Sequence, residues 1–260
     1  MRIIAQRLQS GGLFAELQPN PPGREFLMSD SGLTDPTSAA APETALLDCV
    51  EVETGDNPAG SVIWMHGLGA DAHDFEPIVP MLPLVAPLRF VFPNAPERPV
   101  TLNGGMPLRA WYDIDPRSPL SGTEDIRASA DAIAALVARE VARGVPPRRI
   151  TLAGFSQGGV IALALGLRHP DRLAGIMALS TYLHDHENFT ADVSFASIDV
   201  PIFMAHGVAD AMIPITRAIT SREALLRHGY QVEWHEYRMG HQVCPEEIRD
   251  IALWLNELYG

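Results

Sequence analysis

From residue 49 onward, short apolar runs alternate with longer stretches in which apolar residues recur every three or four positions. The short runs fall at 50–53, 61–65, 89–92, 150–153, 173–179, 202–205 and 232–237, most with Gly, Pro, Asn or Asp within a few residues. Runs of that length between turn-forming residues predict strands. Helical spacing is clearest after Ser121, where Ile126, Ala130, Ile133, Val137 and Val141 share one face. Ser121 and Glu124 form a capping-box pattern there, and Gly144 with Pro146 ends the stretch. A second helix is expected to open at Pro214, carry Ile215, Ala218, Ile219 and Leu226, and end at Gly229. The last opens at Pro245 with Glu246 and Glu247 in its first turn and buries Ile248, Ile251, Ala252, Leu255 and Leu258. This alternation predicts an α/β fold: a mostly parallel central sheet with helices on both faces, in a single domain.

Residues 1–42 follow neither period. They are rich in Pro, Gly, Ser, Thr and Ala, including Pro19, Pro21, Pro22, Pro36 and Pro42, and predict a disordered or loosely attached arm ahead of a domain at 43–260. Met28, followed by Ser29, Asp30, Ser31 and Gly32, would also be an ordinary beginning for a protein.

Composition narrows the function. A chain of 260 residues, 47% hydrophobic and 20% charged, is long enough for one full core. A net charge of -13 repels phosphate backbones and anionic membrane surfaces, which excludes nucleic acid as the main partner and favours a small substrate. No apolar run reaches the roughly eighteen residues of a transmembrane segment, and the N-terminus lacks the apolar core of a secretory signal. Cys49 and Cys244 are the only cysteines, so neither a disulfide framework nor a multi-cysteine zinc site can form. The cytoplasm is the expected compartment.

The sharpest chemical signal is Gly154, Phe155, Ser156, Gln157, Gly158 and Gly159, placed between the apolar run at 150–153 and the apolar run Val160 to Leu167. A strand, a tight turn with glycines flanking a serine, and then a helix is the context of a nucleophile elbow, which thrusts the hydroxyl clear of the sheet. A serine needs a base to take its proton, and an acid and a histidine should follow in that order. Asp210 follows the run at 202–205, and His241 follows the run at 232–237. Both positions are strand exits, where an open α/β sheet gathers its ligand crevice. His241 would serve as general base and then acid, and Asp210 would fix its tautomer. An oxyanion hole is expected from the N–H of Gln157 and that of Leu68, in the glycine-rich exit from the run at 61–65.

The segments HGLGADAHDF, PNAPERPVTLNGGMPLRAWYDI, GFSQGG, HGVADAMIP and MGH, spread from about Ser61 to the C-terminus, together resemble the carboxylesterase and acyl-protein thioesterase family, also called the phospholipase/carboxylesterase family. The resemblance implies an α/β-hydrolase sheet, the triad Ser156, Asp210 and His241, an oxyanion hole from Leu68 and Gln157, and no cofactor. It also implies an apolar acyl channel, for which Met65, Met106, Leu108 and Trp111 are the candidate walls, although Trp111 and Tyr112 are of a type more often found in cores. The implied reaction is hydrolysis of a small-molecule ester or acyl thioester, and a homodimer is compatible with it. A lysophospholipase or a lactone hydrolase would share the triad, and a catalytically silent ligand-binding relative would share the fold.

Other polar clusters carry less. His184, Asp185, His186 and Glu187 suggest a metal only weakly, lacking a third ligand at a recognisable spacing, and no metal is expected. Cys244 precedes a helix N-terminus, where a thiol pKa can fall.

Overall fold

The computed structural model describes residues 46–118 and 120–260. The arm expected at 1–42 lies outside them. Seven strands form the main sheet: β1 (Cys49–Glu53), β2 (Ser61–Met65), β3 (Arg89–Pro93), β6 (Ile150–Phe155), β7 (Gly175–Leu179), β8 (Ile202–Gly207) and β9 (Val232–Tyr237), in the order β1-β3-β2-β6-β7-β8-β9. Only β1 is antiparallel to its neighbour; the other pairs are parallel. A separate hairpin of β4 (Glu97–Pro99) and β5 (Pro107–Arg109) was not foreseen. Its strands are too short and too rich in proline to show a period.

The strand period of two sorts side chains between two cores. Ile63, Met65, Ile150, Leu152, Ile176 and Met204 face α1 (Thr123–Ala142), α2 (Gln157–Gly166) and α3 (Ile215–Arg227). Val62, Trp64, Phe90, Phe92, Phe155, Met177 and Phe203 face α4 (Pro245–Tyr259) and the short helical turn Glu76–Met81. Burial on both faces explains why β2, β6, β7 and β8 read as continuous apolar runs. Among the described residues no helix is long and apolar enough to cross a membrane.

Two helix details differ from expectation. Ser121 does not cap α1; its hydroxyl accepts from the Asp115 amide at 2.9 Å, and the N-cap is Gly122 at φ 75. A β-carbon at Gly122 would lie 2.5 Å from the Asp113 carbonyl oxygen, so the chain turns there too tightly for the expected cap. The buried faces are also rotated: Val141 and Leu226 are exposed, whereas Glu140 of α1 and Ser221 of α3 are buried. Glu140 is tolerated inside because Ser61 Oγ donates to it at 2.7 Å and Arg89, Arg139 and Arg143 surround it at 3.0, 3.1 and 3.0 Å. Burial works against its charge, but the Ser61 hydroxyl and Arg89 outweigh that and hold the pKa below the ordinary carboxylate value.

Glu247, in the first turn of α4, is the opposite case. It is fully buried, and neither carboxylate oxygen has a hydrogen-bond partner. Burial pushes its pKa up to about 8, with nearby Asp250 adding to the shift. A carboxyl whose pKa is higher folded than unfolded stabilises the fold fully below its unfolded value and loses that contribution as pH rises through the folded one. Thermal stability should therefore decline between about pH 5 and pH 8 in part through Glu247. Glu247→Gln, neutral throughout, should flatten this decline and melt above the wild type at about pH 9, as read by melting curves across pH. Parallel curves for the two proteins would show that Glu247 does not titrate on unfolding.

Candidate active site

The parallel strands β2, β6, β7, β8 and β9 all point their C-terminal ends at one rim, and the expected triad gathers there. Ser156 joins β6 to α2 with φ 55 and ψ -118, a backbone conformation that L side chains rarely adopt. The surrounding structure holds it: its N–H donates to the Leu179 carbonyl at 2.9 Å, and its carbonyl accepts from Thr181 Oγ1 at 2.7 Å. Crowding explains the flanking glycines. A β-carbon at Gly154 would lie 2.1 Å from the Gly158 carbonyl carbon, and one at Gly158 would lie 2.3 Å from the Met65 carbonyl oxygen. The first turn of α2 is thereby pressed against both β6 and the exit of β2.

His241 and Asp210 meet through another close approach. Gly207, at the end of β8, has no room for a β-carbon, which would lie 2.4 Å from the Gly240 carbonyl oxygen. The amides of Val208 and Ala209 donate to the carbonyls of Tyr237 and Met239 at 2.9 and 3.0 Å, zipping the acid loop to the histidine loop. The Asp210 carboxylate is buried; Oδ1 accepts from the amides of Met212 and Ile213, both at 2.9 Å, and Oδ2 lies 2.7 Å from His241 Nδ1. An acceptor-only carboxylate at Nδ1 places the proton there and leaves Nε2 with its lone pair toward Ser156 Oγ, 3.0 Å away. The ring of Phe155 packs against that of His241 with centroids 4.7 Å apart.

The exit from β2 carries Leu68, whose amide is the expected second oxyanion donor. A β-carbon at Gly67 would lie 3.4 Å from that of Ser156, which puts the Leu68 loop beside the nucleophile. Gln157 opens α2, so its N–H has no intrahelical acceptor. Among the described residues no acceptor bonds the Leu68 amide either. The loop is held by groups that sequence reasoning did not assign: His66 Nδ1 donates to the Gly67 carbonyl at 2.7 Å, and His66 Nε2 accepts from the Ala95 amide at 3.0 Å. Burial lowers the His66 pKa and keeps it neutral, as this pairing requires.

Two of the four expected channel walls are corrected. Trp111 is fully buried, donates from its indole N–H to the His66 carbonyl at 2.8 Å, and presents no surface to a substrate; it braces the loop after β2. Met65 is fully buried among the residues under α1 and α2. Leu108 does stand at the loop, 4.0 Å from where a Gly69 β-carbon would be, and Met106 is 62% exposed on the β4–β5 hairpin. The Gln157 side chain, buried, accepts from the Trp111 amide at 3.0 Å and donates to the Tyr112 carbonyl at 2.8 Å. No sequence signal marked that brace.

The remaining candidates lie elsewhere. His184 Nε2 pairs with Thr123 Oγ1 at 2.8 Å, and the segment 183–188 runs between two cavities of about 230 and 610 Å3 that do not include the triad. Among the described residues no group of three or more His, Cys, Asp and Glu side chains comes together as a metal site. Burial raises the Cys244 thiol pKa instead of the helix end lowering it.

The sequence profile of the family described as Phospholipase/Carboxylesterase matches residues 47–259. Acyl-protein thioesterase 1 of Mycosarcoma maydis is 36% identical over 228 residues, covering 80% of this chain and 95% of that protein. The Yarrowia lipolytica acyl-protein thioesterase 1 is 34% identical over 206 residues, covering 76% and 91%. Among solved structures, Zea mays acyl-protein thioesterase 2 superposes with a TM-score of 0.72 at 26% identity, covering 82% of this chain and 99% of that one. Arabidopsis thaliana SOBER1 does so with 0.71 at 26% identity, covering 77% and 99%.

The brace generates a prediction. Gln157→Ala leaves a buried N–H and a buried C=O unpaired while keeping the backbone amide of residue 157, so it should lower stability by about 2–3 kcal/mol in urea titration. The folded variant should still react with a fluorophosphonate at Ser156. Unchanged stability would remove the brace, and complete loss of labelling in folded protein would make the side chain part of the reacting group.

Proposed function

The chain belongs to the phospholipase/carboxylesterase family and is a serine hydrolase of carboxylic esters; we propose that acyl thioesters are also its substrates and that both react through an acyl-enzyme on Ser156. The hydrogen-bonded chain from Asp210 through His241 to Ser156 carries this reading. Ser156 Oγ attacks the acyl carbonyl carbon as its proton passes to His241 Nε2. The carbonyl oxygen, holding the displaced electron pair, faces the amides of Leu68 and Gln157, whose charge complementarity is felt only once the oxyanion forms. Collapse expels the alcohol or thiol, which takes the proton from Nε2 and leaves the acyl group on Ser156. Water then repeats the sequence, giving its proton to Nε2 and its oxygen to the acyl carbon, and the carboxylic acid departs as Ser156 regains its proton.

Backbone strain at Ser156 is consistent with a hydroxyl fixed for attack. Leu108, apolar and beside the loop after β2, and Met106, exposed on the same hairpin, are the side chains we assign to the acyl group. With Cys49 and Cys244 both free thiols, we place the enzyme in the cytoplasm.

Ser156→Ala should fold normally and lose turnover of chromogenic acyl esters by up to about a million-fold. Asp210→Asn should cost on the order of ten-thousand-fold, because an amide donor opposite Nδ1 favours the tautomer that cannot accept the serine proton. Near-normal turnover in either folded variant, measured beside its melting curve, would dismiss the assignment.

A further inference from the structure

The acid loop contains a buried imidazole that the reaction as written does not use. His206, in β8 four residues before Asp210, is fully buried. Its Nε2 donates to the Ile213 carbonyl at 2.8 Å and lies 3.4 Å from Asp210 Oδ2. The amide of the same Ile213 donates to Asp210 Oδ1. A ring results: the imidazole holds Ile213 by its carbonyl, Ile213 holds one oxygen of the acid by its amide, and the other oxygen faces both the imidazole N–H and His241.

We propose that His206 is a positioning residue for the triad acid, acting through Ile213 and through its N–H dipole on Asp210 Oδ2 to aim that oxygen at His241. The proposal rests on the triad reading above. The carboxylate has few ways to swing. Its Oδ1 is pinned by two amides, and rotation about that pin would carry Oδ2 out of line with His241 Nδ1 unless Ile213 itself stays fixed. The carbonyl it would have to drag belongs to the bond before Pro214, which has no N–H to anchor the following turn. His206 supplies the anchor. The groups that face it with charge are Asp210 and His241, and burial favours its neutral form, so it offers a dipole where a cation would compete with His241 for the acid. Its Nδ1 is buried without a partner, which leaves Nε2 as the working end.

The test compares His206→Gln, His206→Asn and His206→Met. A glutamine amide reaches the position of Nε2, whereas an asparagine amide stops at that of Nδ1. His206→Met and His206→Asn should lower kcat by about ten- to a hundred-fold with KM unchanged, and His206→Gln should recover most of that loss. In His206→Met the carboxylate loses the facing dipole and holds a proton on His241 more strongly. The acid-side fall of kcat/KM should therefore move to higher pH, and His206→Gln should restore it. Should His206→Met fail to fold, the glutamine and asparagine variants decide between them. Equal kcat and equal pH profiles in those two, or wild-type kcat in folded His206→Met, would overturn the proposal. Fluorophosphonate labelling of the wild type separates the two readings: no labelling fails the triad, while a labelled wild type with insensitive His206 variants fails this inference alone.

Discussion

The site depends on backbone packed against backbone at the turn that carries Ser156. With no side chain at Gly154 and Gly158, the carbonyl group of Gly158 comes within what would be 2.1 Å of a β-carbon on Gly154, and the carbonyl of Met65 within 2.3 Å of one on Gly158. A one-carbon side chain at either place would force β6, α2 and β2 apart. That closeness brings the first amide of α2 and the loop after β2 to the same point, so the nucleophile and its two expected donors are set by one contact. The positive φ of Ser156 is the cost of the turn, and the bonds to Leu179 and Thr181 hold the residue there.

The same device recurs at Gly207, where β8 ends against the carbonyls of Met239 and Gly240. Without it the loops bearing Asp210 and His241 would stand apart by at least a side chain, and a 2.7 Å bond between their side chains tolerates no such gap. Two backbone contacts, at the ends of β6 and β8 with β7 between them, thus deliver three side chains to a common rim. Parallel strands make this possible, since all their C-terminal ends face the same way.

Much of this was legible in sequence because it is carried by strong local patterns. The apolar runs located all seven main strands, missing by one residue at β1 and β3 and by two at the ends of β6, β7 and β8. Ser156, Asp210 and His241 stood out because each follows a strand by a turn. Less legible were groups whose work is defined only across the fold: Gln157 bracing residues 46 and 45 positions away, Thr181 holding the serine carbonyl, and His66 shaping the loop beside it. A buried amide or hydroxyl has the same letter in sequence as a solvated one. Helix faces were misjudged for a related reason: Val141 fits the apolar stripe of α1, but the Arg89, Arg139 and Arg143 cluster makes a carboxylate at Glu140 the better buried residue.

The corrected positions of Met65 and Trp111 divide the site into two strata. The proposed oxyanion donors are main-chain amides, held by the buried side chains of Gln157 and Trp111, and these can change little without disturbing the core beneath them. Leu108 and Met106 sit on a hairpin of two three-residue strands that pairs with nothing in the main sheet. It is tied to the site through its last residue, Arg109, whose carbonyl accepts from the Gly69 amide at 2.8 Å and so holds the hairpin against the loop after β2. The proposed oxyanion donors are backbone groups fixed by glycine-dependent packing, whereas the proposed acyl contacts are side chains on a short hairpin. Glycines at close backbone approaches leave a mark in the sequence and the size of an apolar side chain on a short hairpin does not, so sequence patterns identify the reaction more readily than the acyl group it acts upon.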